Sequence, residues 1–354
     1  MNTRIASVED RHKWDNYVVS YQGSSPYHLF GWGLAVKEAY RHELYYFLAE
    51  EGEHIVGLLP LIYIKPPLLK GELVSLPFCD IGSVLADNED VKNALISEAF
   101  ALAKKVKAKH LELREYSSQE NRDIFSQYGM TSREDKVQMI LPLPDSSESL
   151  LAGFKSKLRS QVKKAEKNGL IFDWITPGNM DDFYNVFSIN MKDLGSPVHS
   201  KKWFSSLMSG LGDAIKIGVV YYDQTAVGTG IILCHGKRIS IPWASTLRQY
   251  NHLSTNMLLY WNLLKFSADN GYKEFDFGRS TPEEGTYKFK AQWGAEPCQL
   301  NWKSISFVKI KSNASQEGSL GSRSYRELVE RAWRKLPLPL ANGIGPLIRK
   351  YISL

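Results

Sequence analysis

Two stretches decide the fold of this chain: ELYYFLAEEGEHIVGLLPLIYI at residues 43–64 and IKIGVVYYDQTAVGTGIILC at residues 215–234. Each is a pair of apolar, β-branched and aromatic runs around a short polar turn, the pattern of a hairpin. The segments downstream of each hairpin repeat as well. After the first come GELVSLPFCDIGSVLA (71–86), NALISEAFALAKKVKA (93–108) and KHLELREY (109–116). After the second come KRISIPWASTL (237–247), NMLLYWNLLKFSADNG (256–271) and YKEFDFGRS (272–280). Both units read strand, turn, strand, strand, amphipathic helix, strand. Val56-Gly57 falls opposite Val227-Gly228, Leu76-Pro77-Phe78 opposite Ile241-Pro242-Trp243, and Lys109 opposite Lys273. In the two helical stretches apolar residues recur at helical spacing, Leu95, Ala99, Leu102 and Val106 in one and Leu259, Leu263 and Phe266 in the other, so each helix buries one face on a sheet. KHLEL and KEFDF alternate with period two, as strands leaving those helices would. Matching order of this length points to an internal duplication of an α/β unit.

LPLPDSSESLLAGF (141–154) separates the halves, with Pro142, Pro144 and a serine-rich turn in which Ser146 or Ser147 suits a helix N-cap. The spacing predicts one helix from there to Gly169, a natural residue just past a helix end. The expected domains are 1–145 and 146–310. SNASQEGSLGSRS (312–324) reads as a flexible polar linker. Residues 311–354 are thus expected to be a linker followed by an amphipathic tail, and 322–354, with Trp333 among arginines, either to lie at a membrane surface or to pack on the protein's own surface.

Bulk properties exclude more than they identify. At 354 residues, 43% hydrophobic and 23% charged, the chain is an ordinary globular protein. A net charge of +6 permits an anionic partner without requiring one. The three cysteines, Cys79, Cys234 and Cys298, form no CxxC, and the eight histidines are scattered, so neither a disulfide framework nor a metal site is expected. No apolar run approaches the ~20 residues of a spanning helix, and MNTRIASVEDRHKWDNY lacks the core of a signal peptide. The expected location is the cytoplasm, at most peripheral to the inner face of the membrane. There is no GxSxG elbow, no phosphate loop of the GxxxxGK[ST] type and no GxGxxG after a strand.

The chemistry concentrates in FDFGRSTPEEGTYKFKAQWGAEP (275–297). A strand ends at Gly278-Arg279, and strand ends in open α/β sheets are where ligands bind. Acyl transfer to an amine develops an oxyanion, which a fixed cation stabilises by about 3–4 kcal/mol. Lys290, between Phe289 and Trp293, is the candidate for that role, with Arg279 beside it. Tyr287, Lys288, Phe289 and Lys290 read as an alternating strand that puts both lysines on one face, where a lysine is also what a solvated surface carries. Asp276 and Trp293 are further candidates for substrate contact. Lys157, Arg159, Lys163 and Lys167 belong to a dense basic helix whose i, i+4, i+8 stripe suits phosphates, though such a run is also what a solvated face looks like. Asp80, after Leu76-Pro77-Phe78-Cys79, either orients an amine or sugar hydroxyl or caps a turn. Asn256, at the start of the second-half helix, is a last candidate for substrate contact.

Three motifs in order, SLPFCDIGSVLAD (75–87), KSKLRSQVKKAEKNGL (155–170) and the 275–297 stretch, resemble the FemAB family, and within it the proteins found alongside exosortase and exopolysaccharide gene sets. The resemblance runs from about residue 5 to the end. It implies an α/β (α+β) chain of two tandem acyl-CoA N-acyltransferase-like (GNAT-type) domains, each a mixed sheet flanked by helices. Fem transferases move an amino acid from aminoacyl-tRNA to an amine on a peptidoglycan precursor, with no metal and no acyl-enzyme. The family's Phe-Lys pair falls on Phe289-Lys290, and its basic segment for substrate phosphates on Lys157, Arg159 and Lys163. The helical-hairpin arm that some Fem proteins use for tRNA is missing, and RQYNHLSTNM (248–257) lacks the glycine-rich pyrophosphate loop of an acetyl-CoA enzyme.

The expected function is therefore amide formation on a cell-envelope or exopolysaccharide precursor, by direct displacement from aminoacyl-tRNA or acyl-CoA as co-substrate. No tightly bound cofactor is expected. The partners expected are a phosphate-bearing envelope or saccharide precursor and tRNA. The alternative is a non-catalytic GNAT-like scaffold in a polysaccharide assembly complex.

Overall fold

The computed structural model describes residues 1–116, 124–176, 180–308 and 327–354. The first half runs β1 (Asn2–Ile5), α1 (Arg11–Ser20), α2 (Phe30–Tyr40), β2 (Glu43–Glu51), β3 (His54–Ile64), β4 (Glu72–Val74), β5 (Leu85–Ala86), α3 (Glu89–Lys105), β6 (His110–Tyr116), β7 (Thr131–Arg133) and β8 (Val137–Pro142). The second runs α4 (Ser147–Gly153), α5 (Ser156–Lys167), β9 (Ile171–Ile175), α6 (Asp181–Leu194), α7 (Lys201–Leu211), β10 (Ile215–Tyr222), β11 (Thr225–His235), β12 (Arg238–Thr246), α8 (Thr255–Asp269), β13 (Glu274–Ser280), α9 (Gly285–Ala291) and β14 (Glu296–Ser306). A C-terminal helix, Leu338–Arg349, comes last.

The duplication is visible in the backbone. In the first hairpin Ala49 faces Gly57 but Glu50 faces Ile55, which leaves Val56 as a bulge. In the second Val220 faces Gly228 but Tyr221 faces Ala226, which leaves Val227. The matched Val-Gly pairs are thus one β-bulge occurring twice. The parallel pairs match too: β4 lies beside β6 with Glu72 facing His110, and β12 beside β13 with Arg238 facing Glu274.

The two halves are not separable at residue 145. The strands form one sheet ordered β1-β2-β3-β4-β6-β14-β8-β13-β12-β11-β10-β9. β8, from the first half, pairs with β13 of the second, while β14, from the second, pairs with β6 of the first. Each half therefore completes the other's sheet. The helices join them as well. A Cβ on Gly31 of α2 would lie 2.1 Å from the Gly210 carbonyl oxygen of α7, so the two backbones touch where no side chain fits. Around that crossing Trp14, Phe30, Trp32 and Tyr46 share one core with Phe183, Phe187, Trp203 and Phe204.

Two local expectations need correction. The helix predicted to run to Gly169 does start after Ser146, which accepts from the Ser149 amide, and Gly169 has φ +76°. It breaks at Phe154-Lys155 into α4 and α5, because Phe154 turns into the core beside Trp261 and Trp293. Residues 285–291, read as an alternating strand, are helix α9. For the tail, the sequence leaves a membrane surface and the protein's own surface open. Residues 312–324 lie outside the described residues, but the C-terminal helix packs Ala341 and Gly345 against the protein, Gly345 meeting Val198. Beyond it the Phe78 amide donates to the Ser353 carbonyl.

Candidate functional site

β12 and β13 pair in parallel only from Arg238 and Glu274 to Ser240 and Asp276, then part. Past that point the two strands present Ile241, Pro242 and Trp243 on one side and Phe277, Gly278 and Arg279 on the other. Between them opens a cavity of about 260 Å³. Pro242 has no N–H to extend the ladder and Gly278 has φ +76°, so the divergence is written into the backbone. The corresponding wedge of the first half is sealed. Arg114, 1% exposed, fills it. Its guanidinium pairs with Glu112 at 2.7 Å and donates to the carbonyls of Leu76, Cys79 and Ser353. One copy of the unit keeps an opening and the other has closed it.

Lys290 reaches the open wedge from α9. It is 8% exposed, and its Nζ donates to the carbonyls of Gly278 at 2.9 Å and Arg279 at 2.8 Å. An ammonium carries three donors, so two hold it to the end of β13 and one remains for the cavity. Burial lowers its pKa to about 8, against the raising influence of Asp276 and Asp80. At neutral pH it is mostly cationic.

Asp80 and Arg279 complete the polar wall. The Asp80 carboxylate accepts from the Arg279 amide at 3.2 Å and lies 3.5 Å from its guanidinium, while Arg279 also stacks over Trp302. The apolar walls are Tyr27, Phe78, Trp243 and Phe277. Cys79 also lines the cavity, but its thiol donates to the carbonyls of Leu76 and Ile81, and burial pushes it well up, away from thiolate chemistry. Arg349, from the C-terminal helix, closes the rim beside Leu354.

The structure thus gathers Lys290, Arg279 and Asp80 and leaves the other expected residues elsewhere. Asp276 is 1% exposed beneath the cavity, where Gln138 donates to both its oxygens and the Gly278 amide to one. It fixes the turn whose carbonyls hold Lys290 rather than lining the cavity. Phe289 packs on Tyr260, and Trp293, 1% exposed, packs on Phe154 in the core. Neither lines the cavity; Phe289, one residue before Lys290, is turned about 100° from it around the helix. For the same reason Lys288 is exposed while Lys290 is buried, and Tyr287 packs with the second-half core.

The basic helix α5 buries Leu158, Val162 and Ala165 and turns Lys157, Lys163 and Lys167 to solvent. Arg159 donates to the carbonyls of Ala152 and Phe154, tying α4 to α5. Asn256 is half-buried at the start of α8. None of these side chains lines the cavity.

The residues missed from sequence are Tyr27, Phe78, Trp243 and Arg349. The repeat carried a signal for two of them, since Phe78 and Trp243 are the matched third residues of Leu-Pro-Phe and Ile-Pro-Trp. Among the described residues no group of three or more His, Cys, Asp or Glu side chains forms a metal site.

Residues 152–291 match the acetyltransferase (GNAT) domain family. No curated protein matches the chain by sequence. Among solved structures, FemX superposes with a TM-score of 0.70 at 14% identity, over 93% of this chain and 100% of that one. The L-PGS of Bacillus licheniformis gives 0.59 at 14% identity, over 94% and 100%. A tandem GNAT protein from the clavulanic acid biosynthesis pathway gives 0.55 at 11% identity, over 88% and 99%. At these identities the likeness is one of fold. This chain therefore has the tandem GNAT fold, and the part of it similar to the GNAT acetyltransferase domain supplies Lys290 and Arg279 to the open wedge.

Proposed function

We propose that the protein is an N-acyl- or aminoacyltransferase that forms an amide on a cell-envelope or exopolysaccharide precursor by direct displacement. The single observation carrying this reading is the Lys290 ammonium, sequestered in the open wedge with one donor left for the cavity. The amine of the acceptor attacks the acyl carbon, and the C–N bond forms as the carbonyl π electrons move to oxygen. Lys290 and Arg279 face that negative charge. Collapse of the intermediate breaks the bond to the thiol of an acyl-CoA or the ribose oxygen of an aminoacyl-tRNA. The leaving group takes up the proton that the amine loses, and Asp80 orients that amine by accepting from it. No covalent enzyme intermediate is required, in keeping with the inert Cys79 thiol.

The test is a donor panel. The full chain is melted with acetyl-CoA, longer acyl-CoAs and aminoacyl-tRNA. A donor present at a hundred times its Kd stabilises the fold by about 2.7 kcal/mol. Stabilisation by one donor class is expected; a flat response to every donor makes the protein a scaffold and ends the transferase reading.

The acceptor of this reading lies at a membrane surface. Among the described residues no helix is long and apolar enough to cross a bilayer. The C-terminal helix nevertheless exposes Leu340, Ile344, Leu347 and Ile348 at i, i+4, i+7 and i+8, between 41% and 61% each. Arg331, Arg334 and Lys335 stand exposed just before it. An apolar stripe beside cations suits an anionic bilayer. Sedimentation with vesicles rich in phosphatidylglycerol should carry the protein down at low salt, and a Leu340→Ser, Leu347→Ser double variant should bind roughly tenfold more weakly or worse. Equal binding by the variant removes the stripe from the interface.

A further inference from the structure

β3 and β4 are joined by KPPLLKG at residues 65–71. Leu68 and Leu69 stand at the tip of that turn, 105% and 61% exposed. The backbone holds them out. The Leu69 amide donates to the Pro66 carbonyl at 3.3 Å, and Leu68 sits at φ +62°, a left-handed conformation that leucine adopts only against steric resistance. Pro66 and Pro67 stiffen the approach, so the turn loses little freedom when something covers it. The apolar surface continues across a hollow of about 450 Å³ bordered by Tyr63 and Val106. Phe307 and Val308, both exposed, stand close by, since the Lys109 amide donates to the Gly71 carbonyl and the Lys109 carbonyl accepts from the Phe307 amide.

Cations ring this patch. The segments that meet here, 41–43, 63–72, 104–110 and 306–308, carry seven lysines and arginines against two carboxylates, Glu43 and Glu72. Glu72 pairs with Lys109 at 3.7 Å, and Glu43 accepts from the Tyr45 hydroxyl. Lys65, Lys70, Lys104, Lys105 and Lys107 are exposed and in no ion pair among the described residues.

We infer that the 65–71 turn is a membrane-docking site, which sinks Leu68 and Leu69 into the acyl boundary of an anionic bilayer while the lysines around it meet the headgroups. A protruding pair of leucines needs no shaped pocket in a fluid bilayer, whereas a protein partner would have to offer one. RNA takes up aromatic rings and guanidinium planes rather than aliphatic side chains. Six of the seven cations are lysines, whose flexible stems lie along apolar surface and keep their ammonium groups among the headgroups. The tail reaches the same end of the sheet: Glu43 faces Tyr63, and the ring of the adjacent His42 donates to the Lys350 carbonyl at 2.7 Å. The turn nevertheless belongs to the first half and shares no residue with the C-terminal stripe. Its docking does not rest on the transferase reading.

The experiment needs neither donor nor turnover. The full chain is sedimented with phosphatidylcholine vesicles, with and without phosphatidylglycerol, and the anionic vesicles should carry it down. A Leu68→Ser, Leu69→Ser double variant, with the C-terminal stripe intact, should bind them at least about tenfold more weakly. A Lys65→Gln, Lys70→Gln, Lys107→Gln variant should lose a similar factor and show a flatter salt dependence. Leu68→Gly relieves the left-handed strain, so it should hold or raise the urea midpoint and still weaken binding. Wild-type protein that ignores anionic vesicles overturns the inference. Equal binding by the double leucine variant overturns it too, whatever the tail does. Binding of tRNA in place of vesicles, lost in the lysine variant and kept in the leucine variant, makes the patch a nucleic-acid surface and likewise overturns it. A chain that docks through this turn yet responds to no acyl donor loses the transferase reading and keeps this one.

Discussion

Replacing Lys290 by methionine is expected to slow amide formation by about 10²–10³-fold, the loss of roughly 2.7–4 kcal/mol that one well-placed donor to an oxyanion supplies. Methionine keeps most of the volume, so the loss should appear in kcat, with donor-induced stabilisation retained. The pH profile gives an independent reading. Burial lowers the Lys290 pKa to about 8, and only the protonated form carries the charge and the third donor that meet the oxyanion. Activity should therefore be full below that value and fall as pH rises through it, and Lys290→Arg should move the fall to higher pH. The stability linkage has the opposite sense. The buried group loses its proton near 8 while the unfolded chain holds it to about 10.4. The unfolded state thus binds more protons between those values, and the Lys290 contribution to stability rises with pH there. A methionine variant with full activity, or a wild-type rate unchanged from pH 7 to 9.5, removes Lys290 from the reaction.

The second large effect is structural. Arg114→Met should destabilise the protein by about 3–5 kcal/mol, the usual cost of breaking a buried ion pair by removing one partner. Glu112 would lose its cation, and the carbonyls of Leu76, Cys79 and Ser353 would lose a donor. The loss is read as a shift in the urea midpoint. Because Ser353 is one of those partners, residues 338–354 should also exchange amide hydrogens faster than the rest of the fold, and the cavity rim at Arg349 and Leu354 should loosen with them. A midpoint displaced by less than about 1 kcal/mol means the first-half wedge is closed by packing alone, not by the guanidinium.

Much of the fold was legible because it is periodic and repeated. The Val56-Gly57 and Val227-Gly228 pairs are short-range features, and the bulge they make depends on neighbouring strands within one hairpin. The apolar rows of α3 and α8 likewise announce their buried faces. What misled was local ambiguity in a short segment. Tyr287 to Lys290 alternates polar and apolar residues over four positions, too few to separate a strand from one turn of helix. Tertiary packing of Phe289 on Tyr260 and of Trp293 on Phe154 settled it as helix. The basic run on α5 illustrates the reverse case. Its density suggested phosphates, yet the helix simply lays Leu158, Val162 and Ala165 inward and its lysines outward.

By itself the sequence determined the duplication, the α/β character of each unit and the candidacy of Lys290, Arg279 and Asp80, since composition, period and turn residues act over a few neighbours along the chain. Only the tertiary structure decided that β8 and β14 change places between the halves, that one wedge is open and its twin filled by Arg114, and that Arg349 comes to the rim of the site. Those outcomes depend on contacts between residues more than a hundred positions apart, Arg114 with Ser353 and Asp80 with Arg279 among them. Such contacts are selected by the burial of charge and the closing of a common core, which leave no periodic trace in the order of the residues.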